Sequence, residues 1–296
     1  MRRCLAIFAT VGLAIAATGD LAWVQHVGGV AVTDKAGKIV SLDLRAGWVT
    51  DSDMPLLAGM AALKRLDLSL TRISDRGLRE LKSAPAIEDL NLYFTEQISD
   101  EGTVVLKGWK HLKRVNLRGT KIADSTLDFL AAVPALEWLD VGFAEVSDSG
   151  LDHLSSCTNL RWLMIGGNKL TDAGLQFLRQ LPQIEYLDVS GVQRTDSGLW
   201  SLTLTEKGME AIASVTGLRE LRLAGTAVTA TGIGMLKPLA KLERLDLQGC
   251  RRLKDDSVSV LGSLSQLKSL DLKDSGVSAE AVTRLRASLP NCKITN

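Results

Sequence analysis

Three histidines and a run of Asp-rich turns are the residues whose types could do chemistry in this chain, and catalysis or metal binding would require them to converge. His26, His111 and His153 are far apart in the sequence and fall on different parts of the chain's pattern, the N-terminal cap, a strand entrance and an outer helix. The turns "TDSD" at 50–53 and "SDEG" at 99–102 could be imagined as calcium ligands, but each recurs at the start of an apolar helical pattern. Helix capping explains them better. The stretch "GGNKLTDAG" at 166–174 puts glycines ahead of a helix start, yet it lacks the lysine and serine of a phosphate loop. No enzyme, cofactor or metal site is expected.

What remains is a periodic surface. "LKRLDLSLTRISDRGLRELKSAPA" from Leu63, "LKRVNLRGTKIADSTLDFLAAVPA" from Leu112 and "LRWLMIGGNKLTDAGLQFLRQLPQ" from Leu160 share one frame, L-x-x-L-x-L-x-x-T/N followed by a Ser/Thr/Ala-Asp pair and L-x-x-L. The frame recurs ten times at steps of 24 or 25 residues, except for one step of 34 between Val192 and Thr226. In "LKRLDLS" leucines alternate with polar residues, as in a strand with one buried face. In "SDRGLREL" Ser74 stands at an N-cap, Asp75 in the first turn, and Leu78 and Leu81 on one helical face. A strand and a helix of this size cannot bury their apolar sides alone, so stacked neighbours must share one core.

On these residues the chain resembles the leucine-rich repeat proteins, in the ribonuclease-inhibitor-like class, and its "TDxGLxxL" form is similar to exported bacterial members. The resemblance runs from Ile39 to Asn291, with Cys292–Ile294 as an expected closing strand. It implies an α/β right-handed solenoid, or horseshoe, of about ten repeats, with parallel strands on the concave face and helices on the convex face. It also implies a protein or peptide partner on the concave face. Ribonuclease inhibitors are cysteine-rich and this chain is not. Only about twenty residues precede the first repeat after the leader, too few for an F-box-type adaptor.

The ends and the composition set further bounds. "MRRCLAIFATVGLAIAATGD" has two arginines, an apolar run and a small-residue exit, the pattern of a signal peptide over 1–17, followed by an N-terminal cap over 18–38 and the repeat domain over 39–296. The alternatives are a retained anchor or a buried helix. Cleavage removes two of 35 basic residues and leaves 33 against 34 acidic, a net charge of −1 that gives no general field for nucleic acid. An exported, periplasmic or extracellular protein with no membrane span after cleavage is expected. Cys157, Cys250 and Cys292 are too sparse for a disulfide framework, and Cys250 falls on the Thr/Asn position of the frame, where a small buried group belongs.

Strand alternation lays the concave face out in columns. One reads Asp43, Asp67, Asn91, Asn116, Asp140, Met164, Asp188, Arg222, Asp246, Asp271; its neighbour reads Ser41, Arg65, Asp89, Arg114, Trp138, Trp162, Tyr186, Glu220, Arg244, Ser269. The acidic column is either a solvated face or a track for a basic partner. The three successive aromatics form a candidate ligand-binding shelf, with Gly142, Gly166 and Ser190 on the far side leaving space. The long step carries two helix starts, "TDSGL" at 195–199 and "TEKGM" at 205–209. If the second is the true one, about 193–204 is an insertion beside the shelf, with Trp200 as part of its wall. The candidate ligand-binding set is Trp138, Asp140, Trp162, Met164, Tyr186, Asp188 and Trp200, with an envelope glycan as the alternative ligand.

Overall fold

The computed structural model describes residues 18–84, 86–195, 198–202 and 204–296, without the side chains of 18–20 and 192–201. The signal-peptide reading of 1–17 lies outside the described residues. A helix, Thr18–His26, leads into β1 (Val30–Thr33), which pairs antiparallel with β2 (Ile39–Asp43). Then follow β3 (Arg65–Asp67), β4 (Asp89–Asn91), β5 (Arg114–Asn116), β6 (Trp138–Asp140), β7 (Trp162–Met164) and β8 (Tyr186–Asp188). A separate hairpin, β9 (Val192–Thr195) and β10 (Gly198–Ser201), precedes β11 (Glu220–Arg222), β12 (Arg244–Asp246), β13 (Ser269–Asp271) and β14 (Lys293–Thr295). From β2 onward the main sheet is parallel in chain order, and β11 pairs directly with β8, so the hairpin is bypassed. The closing strand is offset by one residue from its expected place at Cys292–Ile294.

The register pairs equivalent positions of successive repeats, Arg65 to Asp89, Arg114 to Trp138, Trp162 to Tyr186, and Asp140 to Met164 to Asp188. The columns read from alternation are therefore real rows of neighbours. Between the strands, Leu66, Leu90, Leu139, Leu163, Leu187 and Leu221 turn into one continuous core with the leucines of the outer segments. Those outer segments are not uniformly α-helical: Gly174–Gln180 is wholly 3-10, and several others tighten to 3-10 in their last turn.

The first-turn aspartates do more than favour the helix dipole. Asp124 accepts from the backbone N–H of Ser147, 2.8 Å, and from its hydroxyl, so one repeat holds the cap of the next. Asp51, Asp75, Asp148 and Asp255 hold Ser74, Ser99, Thr171 and Ser278 in the same way. The glycine of "TDxG" follows from this. At Gly77, Gly150 and Gly208 a Cβ would run into the aspartate carboxylate of the preceding repeat. Asp172 accepts from Thr205 and crowds Gly208, which makes "TEKGM" the helix start of the seventh repeat and leaves "TDSGL" to the hairpin. The buried Thr/Asn row closes the turns from inside: Thr120 donates to the Leu117 carbonyl, 2.6 Å, and Cys250 takes the same place, its buried thiol 3.2 Å from the Leu223 carbonyl and its pKa pushed up to about 11 by burial.

At the eighth position of each frame the backbone turns left-handed. Five of these residues are glycines, Gly119, Gly167, Gly191, Gly225 and Gly249, but Ala46, Leu70, Phe94, Phe143 and Asp274 also hold φ between 50° and 57°. The chain bears this local cost of about 1–3 kcal/mol at each non-glycine site because the flanking rungs fix the turn.

Candidate functional site

The acidic column turns out to be mainly structural. In eight of ten repeats its Asp or Asn accepts from the backbone N–H two residues on, among them Asp67 from Ser69, 2.9 Å, Asn116 from Arg118, 3.0 Å, and Asp188 from Ser190, 2.8 Å. This is an Asx turn that bends the chain out of each strand. These side chains are used by the fold and are not merely solvated. Met164 and Arg222 are the two positions where an Asx residue has been given up.

The neighbouring column is an alternation of charge. Arg114 lies 3.6 Å from Asp89, and Arg244 lies 3.4 Å from Glu220, so the row runs Arg65, Asp89, Arg114, then Trp138, Trp162, Tyr186, then Glu220, Arg244. The aromatics interrupt it. Between the terminal serines, Ser41 and Ser269, departures from one row or the other therefore cluster on β6, β7, β8 and β11.

The predicted site residues sit as follows. Trp162 is the most open of the shelf, 37% exposed, whereas Trp138 and Tyr186 are half-buried. Arg114 covers one face of Trp138, with its guanidinium carbon 4.7 Å from the ring centroid. Arg222 donates to the Tyr186 hydroxyl, 3.3 Å, and pairs with Asp246 at 3.3 Å. Both Met164 and Asp140 are buried. Burial pushes the Asp140 carboxyl up to about 6, against the pull of the Gly142 N–H and of Arg118, 3.8 Å away. Met164 stands between Asp140 and Asp188 in the register.

Gly142 and Gly166 do not leave space beside the shelf. A Cβ on Gly166 would strike the Ser190 carbonyl, and one on Gly142 would meet the Arg118 guanidinium at 2.5 Å, so these glycines allow backbones and an arginine to approach. Among the described residues, a hollow of about 530 Å³ on this face lies over β2 to β6, lined by Arg65, Asp89, Arg114, Asn116 and Trp138 among others. The insertion is a hairpin that leaves from the exit end of β8, after Gly191, whereas Tyr186 opens that strand. The turn that Asp188 makes with Ser190 lies between the two. The Trp200 side chain lies outside the described residues, so its place in the wall is a proposal only.

The arginines were missed. Arg114, Arg118 and Arg222 each contact a shelf residue or its neighbour, and Arg118 also stacks on Phe143 at 4.4 Å. The sequence signal was available in the interrupted alternation of Arg65, Asp89 and Arg114.

A family model described as leucine-rich repeat matches residues 61–82 and 156–178. No match is found among curated proteins. Among solved structures, an internalin, InlF, from Listeria monocytogenes is similar at a TM-score of 0.62 and 22% identity, over 82% of this chain and 70% of that one. The functional domain of InlJ from the same organism gives 0.53 and 15% identity, over 89% of this chain and 52% of the other. A plant peptide hormone receptor, RGFR1, in complex with RGF2, gives 0.52 and 16% identity, over 82% of this chain and 40% of the receptor. Repeats matched in sequence at two places, carried on a parallel sheet that advances one strand per repeat, make this chain a leucine-rich repeat protein.

Proposed function

We propose that the chain is a non-enzymatic recognition module that binds a protein or peptide partner across β6, β7, β8 and β11 of the concave face. One observation carries this reading: the structural rows of the repeat are given up at Trp138, Trp162, Tyr186, Met164 and Arg222, and the replacements include an exposed tryptophan and an arginine, residue types that dominate interfaces. The peptide-bound plant receptor of similar fold supports the class of ligand. A glycan would need open ring faces, and Arg114 already occupies one face of Trp138, which favours the protein partner. Export by the leader at 1–17 belongs to the same proposal; among the described residues no helix is long and apolar enough to cross a membrane.

The test is to identify what the purified protein retains from its own envelope extract and to titrate that partner. Truncating an anchor of this kind typically costs at least about 2 kcal/mol, so Trp162→Ala weakens binding roughly thirtyfold. Lys273→Ala, at the far end of the sheet, leaves it unchanged. Equal loss in both variants, or in neither, removes the site from these strands.

A further inference from the structure

A third row of alternating charge runs along the rim where the strands begin: Lys64, Glu88, Lys113, Glu137, Arg161, Glu185, Arg219, Glu243, Lys268. Lys64 and Lys113 flank Glu88 at 2.9 and 3.0 Å and hold its carboxyl down at about 2. Arg219 lies 3.6 Å from Glu185 and 3.8 Å from Glu243, and Lys268 lies 2.9 Å from Glu243. Of the five cations in the row, Arg161 is the one without an ion pair among the described residues. Its Nη1 is also one of three buried side-chain donors without a partner there, with Gln183 Nε2 and Trp109 Nε1.

Two of those three donors belong to one place. Arg161 and Gln183 line a hollow of about 410 Å³ together with Glu185, Arg219, Lys241 and the turn at Thr216–Gly217. In the column that contains Gln183, Asn159 and Gln266 spend their amides on a carbonyl of the preceding repeat, Pro134 and Leu239, whereas Gln183 does not. Gly217 lets the seventh turn close on Pro182, with its N–H 2.8 Å from that carbonyl, and so fixes the floor of the hollow. Three cations face a single carboxylate. Buried donors need an acceptor, and a guanidinium beside an ammonium selects an anionic one.

We propose that this rim hollow binds an oxyanion, a phosphate or carboxylate group, between Arg161, Arg219, Lys241 and the Gln183 amide. The group comes either from a free small anion or from an acidic side chain of a partner that reaches over the rim from Trp162 and Tyr186, which follow Arg161 and Glu185 in the chain. The site stands independently of the aromatic shelf.

Calorimetric titration of the purified protein at constant ionic strength tests it, with inorganic phosphate as one probe and N-acetyl-glutamate amide as the other. Saturable one-to-one binding of at least one probe is expected. Arg161→Gln weakens it roughly tenfold, as loss of a charge-assisted hydrogen bond does, and Lys241→Ala weakens it measurably. Lys113→Gln, whose charge Glu88 already holds, and Trp162→Ala leave it at the parent value. Binding of phosphate alone identifies a free anion, and binding of the glutamyl probe identifies a side chain. Failure of both probes to saturate, or Lys241→Ala and Arg161→Gln each binding like the parent, overturns the proposal. If Arg161→Gln does not fold, Lys241→Ala decides alone.

Discussion

Strands β2 to β5 and strands β6, β7, β8 and β11 are built on the same frame, yet only the first set keeps its turn-making residue throughout. In β2 to β5 the fifth position is always Asp or Asn, each bonded to the turn that follows, and from β3 the third position alternates Arg65, Asp89, Arg114. In β6, β7, β8 and β11 both rules fail: aromatics replace the alternating charges, and Met164 and Arg222 replace two turn-making side chains. The difference separates two kinds of surface residue. A side chain that repeats is explained by the neighbour it holds, whereas one that breaks the row without a structural substitute has been left available for something else.

The largest effect expected falls where both halves depend on the same packing. Leu163 is fully buried in β7, and Leu163→Ala should cost about 2–5 kcal/mol in chemical denaturation. A loss below 1 kcal/mol, which is within reach of a surface change, would mean that the central core is not continuous with its neighbours.

Asp140 sharpens the contrast through pH. Its carboxyl sits at about 6 in the folded chain, above the ordinary 3.8, because burial disfavours the charge. Between about pH 4 and 6 the folded chain keeps a proton that the unfolded chain has released, so this group's contribution to stability is complete at low pH and lost as pH rises through 6. Asp140→Asn keeps an acceptor for the Gly142 N–H and removes the titration. It should match the parent near pH 4 and exceed it at pH 7 by up to about 3 kcal/mol. A constant gap across that range would show that Asp140 titrates normally.

On the convex side the comparison is between staples. Asp124→Ala, which leaves the Ser147 cap without its acceptor, should cost about 1–3 kcal/mol. Glu206 stands at the equivalent position of the seventh repeat and makes no such bond among the described residues, so Glu206→Ala should change the unfolding midpoint little. Equal losses would remove the inter-repeat role assigned to the aspartates.

The repeat frame and the columns were legible because a period of two within strands and a period of 24 or 25 along the chain leave one register that buries every leucine, whereas "TDSGL" and "TEKGM" are told apart only by the bond from Thr205 to Asp172. The Asx turns were less legible: Asp67 and Asp188 look like solvated charges until the backbone N–H two residues on is placed against them. Gly142 and Gly166 were misread as space because sequence shows a missing side chain but not the carbonyl or guanidinium that fills its place. Leu70, Phe94 and Phe143 hide a left-handed turn that glycine announces in other repeats. The arginines around the shelf were less legible because three successive aromatics stand out as a patch, whereas the gap they make in an alternating row of charge shows only against its neighbours.

If broken rows mark the partner site, restoring the rows must weaken it. A double variant, Met164→Asn with Arg222→Asp, gives β7 and β11 the residue types that bend the chain in the other eight repeats. Its affinity for the captured partner, measured beside its denaturation midpoint, should fall at least roughly tenfold, while stability stays within about 1 kcal/mol of the parent. Undiminished affinity in the folded double variant would contradict the account.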